Sequence, residues 1–462
     1  MPPESAIVKS PNTLHRRACC RIGATAFTLF LAGCSPSPPQ VADVPIDSVR
    51  PASFASQSPR DLLGMTLSRY RAVASYRDSG RVKMSYEVGN STETRAAPMR
   101  IWFDRNELYL ETYDVRLTSD PESVTAWIAD PSSENFDAQV LKSAAIAGRP
   151  DVSQLLEDPI LAGRITNGLA GPPPQLEWLF SPEPMKSLFQ AEHRFDFGKT
   201  DIVDGRTCRS VVVAAGDQTF QFWIDERASL VRRVDLPDVV APLRPGAAPQ
   251  PIRLSIDLVG ATVNPPDRAP TIEPLPESPK WVRRFVPLPP SRPARILGTK
   301  PSSFRVTDSE NRITFTDWGS DRPITIWVRM SSDPLTMVAV ATAQNWSDRL
   351  PNELRDKLRF AILVDTDAAS FVPDQVTVPV IVDGDGKVSA AIELDPGAAS
   401  IMDDRGMIAW IDPMFSEATL STFGAALSDV IGGVDVPGRL RQQWTEQVAV
   451  YDRTCREVAV KR

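Results

Sequence analysis

The sequence predicts an α+β protein in which a domain built on an antiparallel sheet is followed by a second, α/β domain. Apolar and polar residues alternate along many short segments between residues 60 and 263, as in strands with one buried face. Two proline-rich stretches, residues 35–59 and 264–293, bracket this region. With 462 residues, 42% of them hydrophobic and 24% charged, the chain is long enough for two or three folded domains.

The first 34 residues contain, in order, the parts of an export signal. Arg16, Arg17 and Arg21 form a basic segment, and residues 22–32 form an apolar segment too short for a membrane span. The sequence Leu-Ala-Gly-Cys at residues 31–34 then resembles the lipobox of bacterial lipoproteins. That resemblance implies cleavage before Cys34 and lipidation of this cysteine. A short buried helix ending in a core cysteine is the alternative, but the arginines and the Ser/Pro-rich sequence that follows argue against it.

Removal of residues 1–33 would change the net charge from −7 to −10, because they carry four basic residues and one acidic residue. A polyanion disfavours nucleic acid and acidic lipids as partners. No later segment has the length and hydropathy of a membrane span. We therefore expect a protein held at a membrane of the cell envelope by its lipid alone, facing the periplasm or the exterior.

The cysteine and histidine content narrows the possible chemistry. After Cys34 only Cys208 and Cys455 remain, and an oxidising compartment would permit a disulfide between them, although we place them in different domains. Beyond the signal segment the only histidine is His193, which has no motif around it and is predicted at the surface. We expect no metal site, no cofactor and no catalytic residue.

Composition and periodicity divide the chain into six segments. They are a signal peptide (1–33), a flexible tether (34–59), an antiparallel sheet domain (60–263), a proline-rich linker (264–293), an α/β domain (294–435) and a C-terminal helical tail (436–462). The sheet domain begins with an amphipathic helix at about residues 62–73, and a second helical stretch covers residues 155–169. Its predicted strands are 82–88, 99–103, 108–110, 124–128, 211–214, 220–224, 230–234 and 252–263.

The order of elements in residues 60–263, a helix followed by a meander of short strands, resembles the LolA-like family. The closing segments 204–208, 222–225 and 230–234 contribute most to this resemblance. It implies a half-barrel whose concave face holds acyl chains of a lipid or lipoprotein under a helical lid. A core filled by the protein's own helices is the alternative. The residues predicted on the apolar, ligand-facing side are Val82, Met84, Tyr86, Met99, Ile101, Phe103, Phe220 and Phe222.

Residues 297–432 resemble the thioredoxin-like redoxins. Segments 297–318 match the opening β-hairpin, 324–328 the central strand, 359–364 the next parallel strand, 378–388 the redoxin insert and 400–410 the closing hairpin. A helix capped by Ser416 would complete the domain. The resemblance implies the fold of a thiol-disulfide oxidoreductase.

The residues needed for thiol chemistry are missing from this second domain. Redoxins carry a Cys-x-x-Cys pair at the start of the helix after the central strand, where the helix dipole stabilises a thiolate. Here residues 331–334 are Ser-Ser-Asp-Pro, so Ser331 and Pro334 occupy the redox positions. We interpret Asp333 and Pro334 as helix N-cap and first helical residue, although residues 337–343 could also form a strand. A serine hydroxyl cannot exchange with a disulfide.

Two acidic segments are interpreted as turns. Asp383-Gly-Asp-Gly begins like a calcium loop but lacks the later glycine and glutamate, so a turn between strands is favoured. Asp403 and Asp404 fit a hairpin turn.

Three hypotheses of different classes follow. The first is a non-enzymatic envelope lipoprotein whose LolA-like domain binds an apolar ligand or a protein partner and whose redox-inactive thioredoxin-like domain is a docking module. The second is an oxidoreductase that uses Cys455, whose neighbours Arg453 and Arg456 would lower its pKa. The third is a structural spacer in the envelope.

Overall fold

A computed structural model describes residues 57–88, 91–241, 250–265, 270–302, 324–333, 336–355, 357–373 and 375–460. They form a mixed α/β structure with two large sheets, neither of which is closed. Cys34 and the segment 304–318, predicted as the rest of an opening hairpin, lie outside the described residues. Among the helices in these ranges, none is both long and apolar enough to cross a membrane.

Counted over the described residues, the first sheet contains fifteen strands, and all but one of their pairings are antiparallel. Twelve strands follow one another in the order β15-β7-β6-β5-β4-β3-β2-β13-β11-β10-β9-β8, while β1, β12 and β14 pair at its side. The strands are β1 (Ser75–Arg77), β2 (Arg81–Val88), β3 (Ser91–Asp104), β4 (Glu107–Thr112), β5 (Val115–Ser119), β6 (Ser123–Ile128), β7 (Gln139–Ala144), β8 (Arg194–Val203), β9 (Arg206–Ala215), β10 (Gln218–Asp225), β11 (Val231–Asp235), β12 (Val239–Ala241), β13 (Gln250–Asp257), β14 (Thr262–Val263) and β15 (Lys280–Val282).

The alternation seen in the sequence correctly predicted the positions of most of these strands. Strands β1, β5, β7, β8 and β12 were missed. In β7 and β8 polar residues interrupt the alternation, and β1 and β12 are only three residues long, whereas β5 does alternate and was overlooked. One strand, β15, comes from the proline-rich segment predicted as a linker, and it pairs in parallel with β7. Phe285 and Val286, just after it, are buried in the first core.

Helices cover one face of this sheet. They are α1 (Pro59–Ala72), α2 (Glu134–Asp137), α3 (Val152–Leu155), α4 (Pro159–Thr166) and α5 (Pro174–Phe180). The start of α1 is well determined, because the Ser58 hydroxyl accepts the Asp61 amide at 3.1 Å and Pro59 occupies the first turn. Its buried side includes Tyr70, which packs against Trp178 of α5 with the ring centroids 5.1 Å apart. Both helices therefore share one core with the sheet.

The short segment α2 is left-handed. Glu134, Asn135, Phe136, Asp137 and Ala138 have φ between 51° and 58°, and none of them is glycine. L-residues in this region cost roughly 1–2 kcal/mol each, so a run of five persists only where the surroundings impose it.

Contacts from distant parts of the chain impose this conformation. The Phe136 ring packs edge-on against Phe285, with centroids 5.6 Å apart. The Asp137 carboxylate accepts the Lys280 ammonium at 2.7 Å and the Tyr451 hydroxyl. The left-handed turn thus depends on the β15 segment and on the C-terminal helix.

Within the described ranges, the second sheet has five strands in the order β18-β17-β16-β19-β20. They are β16 (Ile324–Met330), β17 (Leu358–Val364), β18 (Val380–Val382), β19 (Ala399–Met402) and β20 (Ile408–Asp412). The first three are parallel, and β19 and β20 form an antiparallel hairpin beside β16. The central strand β16 is almost wholly buried, which explains its unbroken apolar sequence. This order and these directions agree with the interpretation of residues 297–432.

Both faces of the second sheet are covered. The helices are α6 (Met337–Arg349), α7 (Asn352–Arg355), α8 (Lys387–Ala391) and α9 (Leu420–Ile431). Residues of α6 and α9 pack on one face, and α8 with Ile296 and Leu297 packs on the other.

The helix predicted after residues 331–334 is confirmed, because residues 337–343 are helical and the alternative of a strand is not found. Two predicted helix caps and one predicted turn in this domain were wrong. The helix α6 has Thr336 rather than Asp333 at its N-cap position. The helix α9 has Thr419 at its N-cap position, while Ser416 lies before it and donates its amide to Thr419 Oγ1. Asp383 begins a turn into α8 rather than between strands, and its carboxylate accepts the amides of the first helical turn. The hairpin turn at Asp403 is confirmed.

The long helix α10 (Val436–Val458) links the two sheets. Its 23 residues span about 34 Å at 1.5 Å per residue. Near its start, Arg441 donates to the Leu297 carbonyl at 2.8 Å. After its end, the Val460 amide donates to the Trp281 carbonyl at 3.0 Å, which adds the terminal residues to the edge of β15.

We predict that Glu134→Gly raises the free energy of unfolding by about 1 kcal/mol, because glycine adopts positive φ without strain. Glu134 is exposed, so no packing is lost. Gln443→Gly in the exposed middle of α10 is the control and should lower stability by a similar amount. Urea denaturation measures both, and equal destabilisation by the two variants would contradict the strain at α2.

Candidate functional site

An apolar cavity of about 600 Å³ lies between the first sheet and the helices that cover it. Its volume falls within the range of roughly 300–1,000 Å³ typical of small-molecule sites. Phe220 and Phe222 of β10, Val234 of β11 and Ile256 of β13 form the sheet side. The opposite side consists of residues before and within α5 together with α3, and it includes Val152, Leu156, Ala170, Pro172, Pro173, Pro174, Leu176 and Met185. We call this space the α5 cavity.

The segment leading into α5 is stiff. Three consecutive prolines at 172–174 fix φ and start the helix. Before them, the Tyr113 hydroxyl donates to the Gly171 carbonyl at 2.7 Å and accepts the Ala170 amide at 3.0 Å. Gly168 lies flat against the same ring, because a Cβ there would sit 1.9 Å from a ring carbon. The roof of the α5 cavity is therefore preformed.

A buried hydrogen-bond network ties α5 to the sheet. Gln175 of α5 donates from Nε2 to Asp78 Oδ2 and to the Met99 carbonyl, both at 3.1 Å. Asp78 also accepts the Tyr76 hydroxyl at 2.8 Å and the Gly80 amide at 2.9 Å. Gly80 permits this close packing, since a Cβ there would lie 2.0 Å from the Met99 oxygen.

Burial determines the protonation of this network. It raises the pKa of Asp78 to about 6, although the hydrogen bonds from Tyr76, Gln175 and two amides act in the opposite direction. Burial, together with the charge of Asp78, also raises the pKa of Tyr76, so this phenol stays protonated and donates. The link between α5 and the sheet is thus sensitive to pH near 6.

The eight residues predicted on the ligand-facing side are not all at the cavity. Phe220 and Phe222 line it. Val82, Met99, Ile101 and Phe103 belong to the filled core. Phe103 packs edge-on against Phe180 of α5 with centroids 5.1 Å apart. Met84 and Tyr86 lie in a separate small cluster with Ile252 and Leu254. Most of the predicted face is therefore core, and the open space lies at β10, β11 and β13.

The sequence interpretation missed the residues of the cavity roof. Pro172, Pro173 and Pro174 line the cavity, although the sequence assigned them no role in a site. Their conformational stiffness was the available indication. Nothing in the local sequence indicated that residues 151–185 face β10 and β13, because that contact is made across the fold.

At the position of the redox motif, the structure describes Ser331 to Asp333, while Pro334 lies outside the described residues. Thr336 Oγ1 accepts the Ser331 amide at 3.0 Å and lies 2.7 Å from the Asp333 carbonyl, which it can donate to. The Ser331 hydroxyl accepts the Asp333 amide at 3.2 Å. A hydroxyl therefore lies where a redoxin has its first thiol, and it is hydrogen-bonded within this turn.

Cys208 and Cys455 are both free, so the permitted disulfide is not formed. Burial raises the pKa of Cys208 to about 11. Burial also raises the pKa of Cys455, which packs against the first core on α10. The expectation that nearby arginines lower the Cys455 pKa was wrong, because burial of the thiol is the largest influence and raises the pKa. Neither thiol is activated as a nucleophile.

His193 is partly buried, and its Nδ1 lies 3.1 Å from the Leu188 carbonyl. Within the described ranges, no group of three or more His, Cys, Asp and Glu side chains is arranged to hold a metal ion.

We predict that the Asp78 network weakens as pH rises. The folded-state pKa of about 6 lies above the unfolded value near 3.8, so stability is fully present below pH 3.8 and is lost as pH passes 6. The unfolding free energy should fall by up to about 3 kcal/mol between pH 4 and 7.5 from this group. Asp78→Asn, which cannot titrate, is the comparison in urea unfolding across this range. If the unfolding free energy depended on pH equally in the parent and in Asp78→Asn, Asp78 would not be the group responsible.

No protein-family model and no curated protein matches the chain. The similar solved structures cover about a third of it or less. StoA from Bacillus subtilis is 18% identical and matches over 26% of this chain and 96% of its own, with a TM-score of 0.22. An uncharacterized conserved protein from Geobacillus kaustophilus is 19% identical over 30% of this chain and 85% of its own, with a TM-score of 0.25. A secreted Mycobacterium tuberculosis disulfide oxidoreductase homologous to E. coli DsbE is 13% identical. It matches over 27% of this chain and 96% of its own, with a TM-score of 0.22. The last of these three is described as a disulfide oxidoreductase, and none of them assigns an activity to this chain.

Proposed function

We propose that this protein is a lipid-anchored component of the cell envelope whose first domain binds one acyl chain in the α5 cavity. In this proposal the second domain is a thioredoxin-like docking module that performs no redox chemistry. The observation that carries the proposal is the cavity itself. Small-molecule sites are usually preformed, mostly apolar concavities of this size, so an open apolar space of about 600 Å³ with a stiff roof supports binding of a ligand.

The shape of the ligand follows from the walls. Phenylalanine, leucine, proline and methionine side chains line the cavity, and transfer of each methylene group out of water contributes about 0.8 kcal/mol. An open sheet covered on one face by helices, with a cavity between them, supports the LolA-like interpretation of this domain. A half-barrel that holds an acyl chain of a lipid or of a lipoprotein fits both features.

The sequence around Cys34 supports attachment to the membrane. A basic segment, an apolar segment and Leu-Ala-Gly-Cys occur in that order, and the proline-rich residues that follow would hold the folded part away from the bilayer. Binding of an acyl chain near a lipid surface is consistent with such an anchor.

The second domain has the strand order of a redoxin but no sulfur at the position that needs it. Cys455 gives no support to an oxidoreductase, because it packs against the first core beside Tyr451 and its pKa is raised. Docking of a protein partner is the role that remains for this fold, and a structural spacer remains the alternative if the α5 cavity binds nothing.

The binding prediction is tested by filling the cavity. Ala170→Trp places a large side chain in its wall, whereas Ala191→Trp makes the same change at an exposed turn outside the lining. We expect the purified protein to bind N-phenyl-1-naphthylamine with saturable fluorescence, and Ala170→Trp to weaken this at least about tenfold because the apolar volume is lost. Thermal denaturation confirms that both variants are folded.

Absence of saturable binding, or equal binding by both tryptophan variants, would contradict the acyl-chain proposal. Native mass spectrometry of the purified protein provides a second measurement, since a co-purified lipid should be present in the parent and depleted in Ala170→Trp.

A second prediction concerns redox inactivity. We expect no reduction of insulin by dithiothreitol above the uncatalysed rate, and no change on Cys455→Ser, because the thiol is protonated and half-buried. Iodoacetamide at pH 7 should modify Cys455 more slowly than free cysteine. Turnover that disappears in Cys455→Ser would replace the docking proposal with an enzyme.

A further inference from the structure

The mouth of the α5 cavity carries negative charge. Its polar lining residues are Asp151, Ser153, Glu177 and Ser181, and the described residues that line it include no lysine, arginine or histidine. Asp151 is exposed and Glu177 is half-buried. The polar end of a bound amphiphile would therefore lie near two carboxylates.

Both carboxylates have fixed positions. Asp151 caps α3, where Oδ1 accepts the Ser153 amide at 2.8 Å and the Ser153 hydroxyl at 2.6 Å. These hydrogen bonds from Ser153 lower the pKa of Asp151, so it stays charged well below neutral pH. Glu177 accepts the Met185 amide and so fixes the chain that leaves α5. Neither group forms an ion pair within the part of the chain that the structure describes.

Of three nearby cations, Arg71 contacts a lining residue at the rim, whereas Arg149 and Lys186 are engaged elsewhere. Arg71 donates to the Ser181 carbonyl at 2.8 Å from an exposed position at the rim. Arg149 donates to backbone carbonyls of α1 and lies over the Phe103 ring at 4.9 Å. Lys186 pairs with Glu183 at 2.7 Å. Arg71 is thus the one cation of these three that a ligand head group could reach, and water screens its charge.

From this charge pattern we propose that the α5 cavity selects amphiphiles whose polar end is uncharged or cationic and discriminates against those that end in a carboxylate or phosphate. This inference rests on the proposed function, because it specifies the ligand class of the same cavity. An anionic end would lie beside two like charges, of which the half-buried Glu177 repels it more strongly than the exposed Asp151, whose charge water screens.

The test compares three ligands with the same twelve-carbon chain. Monododecanoylglycerol, dodecyltrimethylammonium and dodecanoate displace N-phenyl-1-naphthylamine from the protein at pH 7.5. We expect the glycerol ester and the ammonium to bind about tenfold more tightly than dodecanoate. Weak or no displacement by all three would refute the proposed function itself, whereas equal displacement by all three would refute only the charge selection.

Isosteric variants locate the effect. Asp151→Asn keeps a capping side chain, and Glu177→Gln keeps an acceptor for the Met185 amide, so both should fold. Each should improve dodecanoate binding about threefold and leave the glycerol ester unchanged. Glu107→Gln, an exposed carboxylate on the β3–β4 turn, is the control and should change neither.

Arg71→Gln tests whether the two carboxylates or Arg71 control the binding of an anionic head group at the mouth. If the carboxylates dominate, it should lower dodecanoate affinity less than twofold. A tenfold loss of dodecanoate binding in Arg71→Gln, with no gain in Asp151→Asn and Glu177→Gln, would overturn the proposal and make Arg71 the anchor of an anionic head group.

Discussion

An open antiparallel sheet has one apolar face that must be removed from water, and most of the first sheet's architecture follows from this requirement. Twelve strands follow one another without closing, so no opposing strands can cover the face. The helices α1 and α5 provide the cover, joined to each other through Tyr70 and Trp178. At β10, β11 and β13 the cover consists of α3, the start of α5 and the proline-stiffened segment before it, which leave a space open, and the α5 cavity lies there. The candidate site is the part of the face that the helices do not fill.

The same requirement explains why the unfavourable burial of the Asp78 carboxylate is tolerated. A carboxylate with a pKa raised by burial is unfavourable in a core, yet here it collects donors from β1, from the following turn and from α5. No apolar side chain could hold Gln175 in register with the Met99 carbonyl. A buried polar network of this kind fixes one arrangement of α5 among the many that apolar packing alone would allow. The network therefore fixes the position of α5 beside the cavity more than it stabilises the fold.

Local patterns in the sequence were sufficient for most strands and for the order of the second sheet, since alternation and unbroken apolar runs report directly on burial. They were insufficient for the cavity, whose walls combine Pro172 and Met185 with Ile256. The predicted ligand face contained the right kind of residue, but Val82, Met99, Ile101 and Phe103 turned out to be filled core. Electrostatic expectations from neighbours in sequence also failed at Cys455, because its environment is set by Tyr451 and the first core rather than by the adjacent arginines. What the sequence cannot supply is the set of contacts made across the fold.

The left-handed turn at α2 shows how far such contacts reach. Five strained residues between β6 and β7 are held by Lys280, Phe285 and Tyr451, which come from segments that composition alone would assign to a linker and a tail. Strain of several kcal/mol persists only if its restraints are stronger, so the docking of α10 and the pairing of β15 must be favourable enough to maintain it. The same helix begins against the second sheet, through Arg441 and Leu297. Movement of α10 away from the first sheet would therefore allow the α2 turn to relax. The turn keeps its left-handed conformation only while α10 connects the two sheets rigidly.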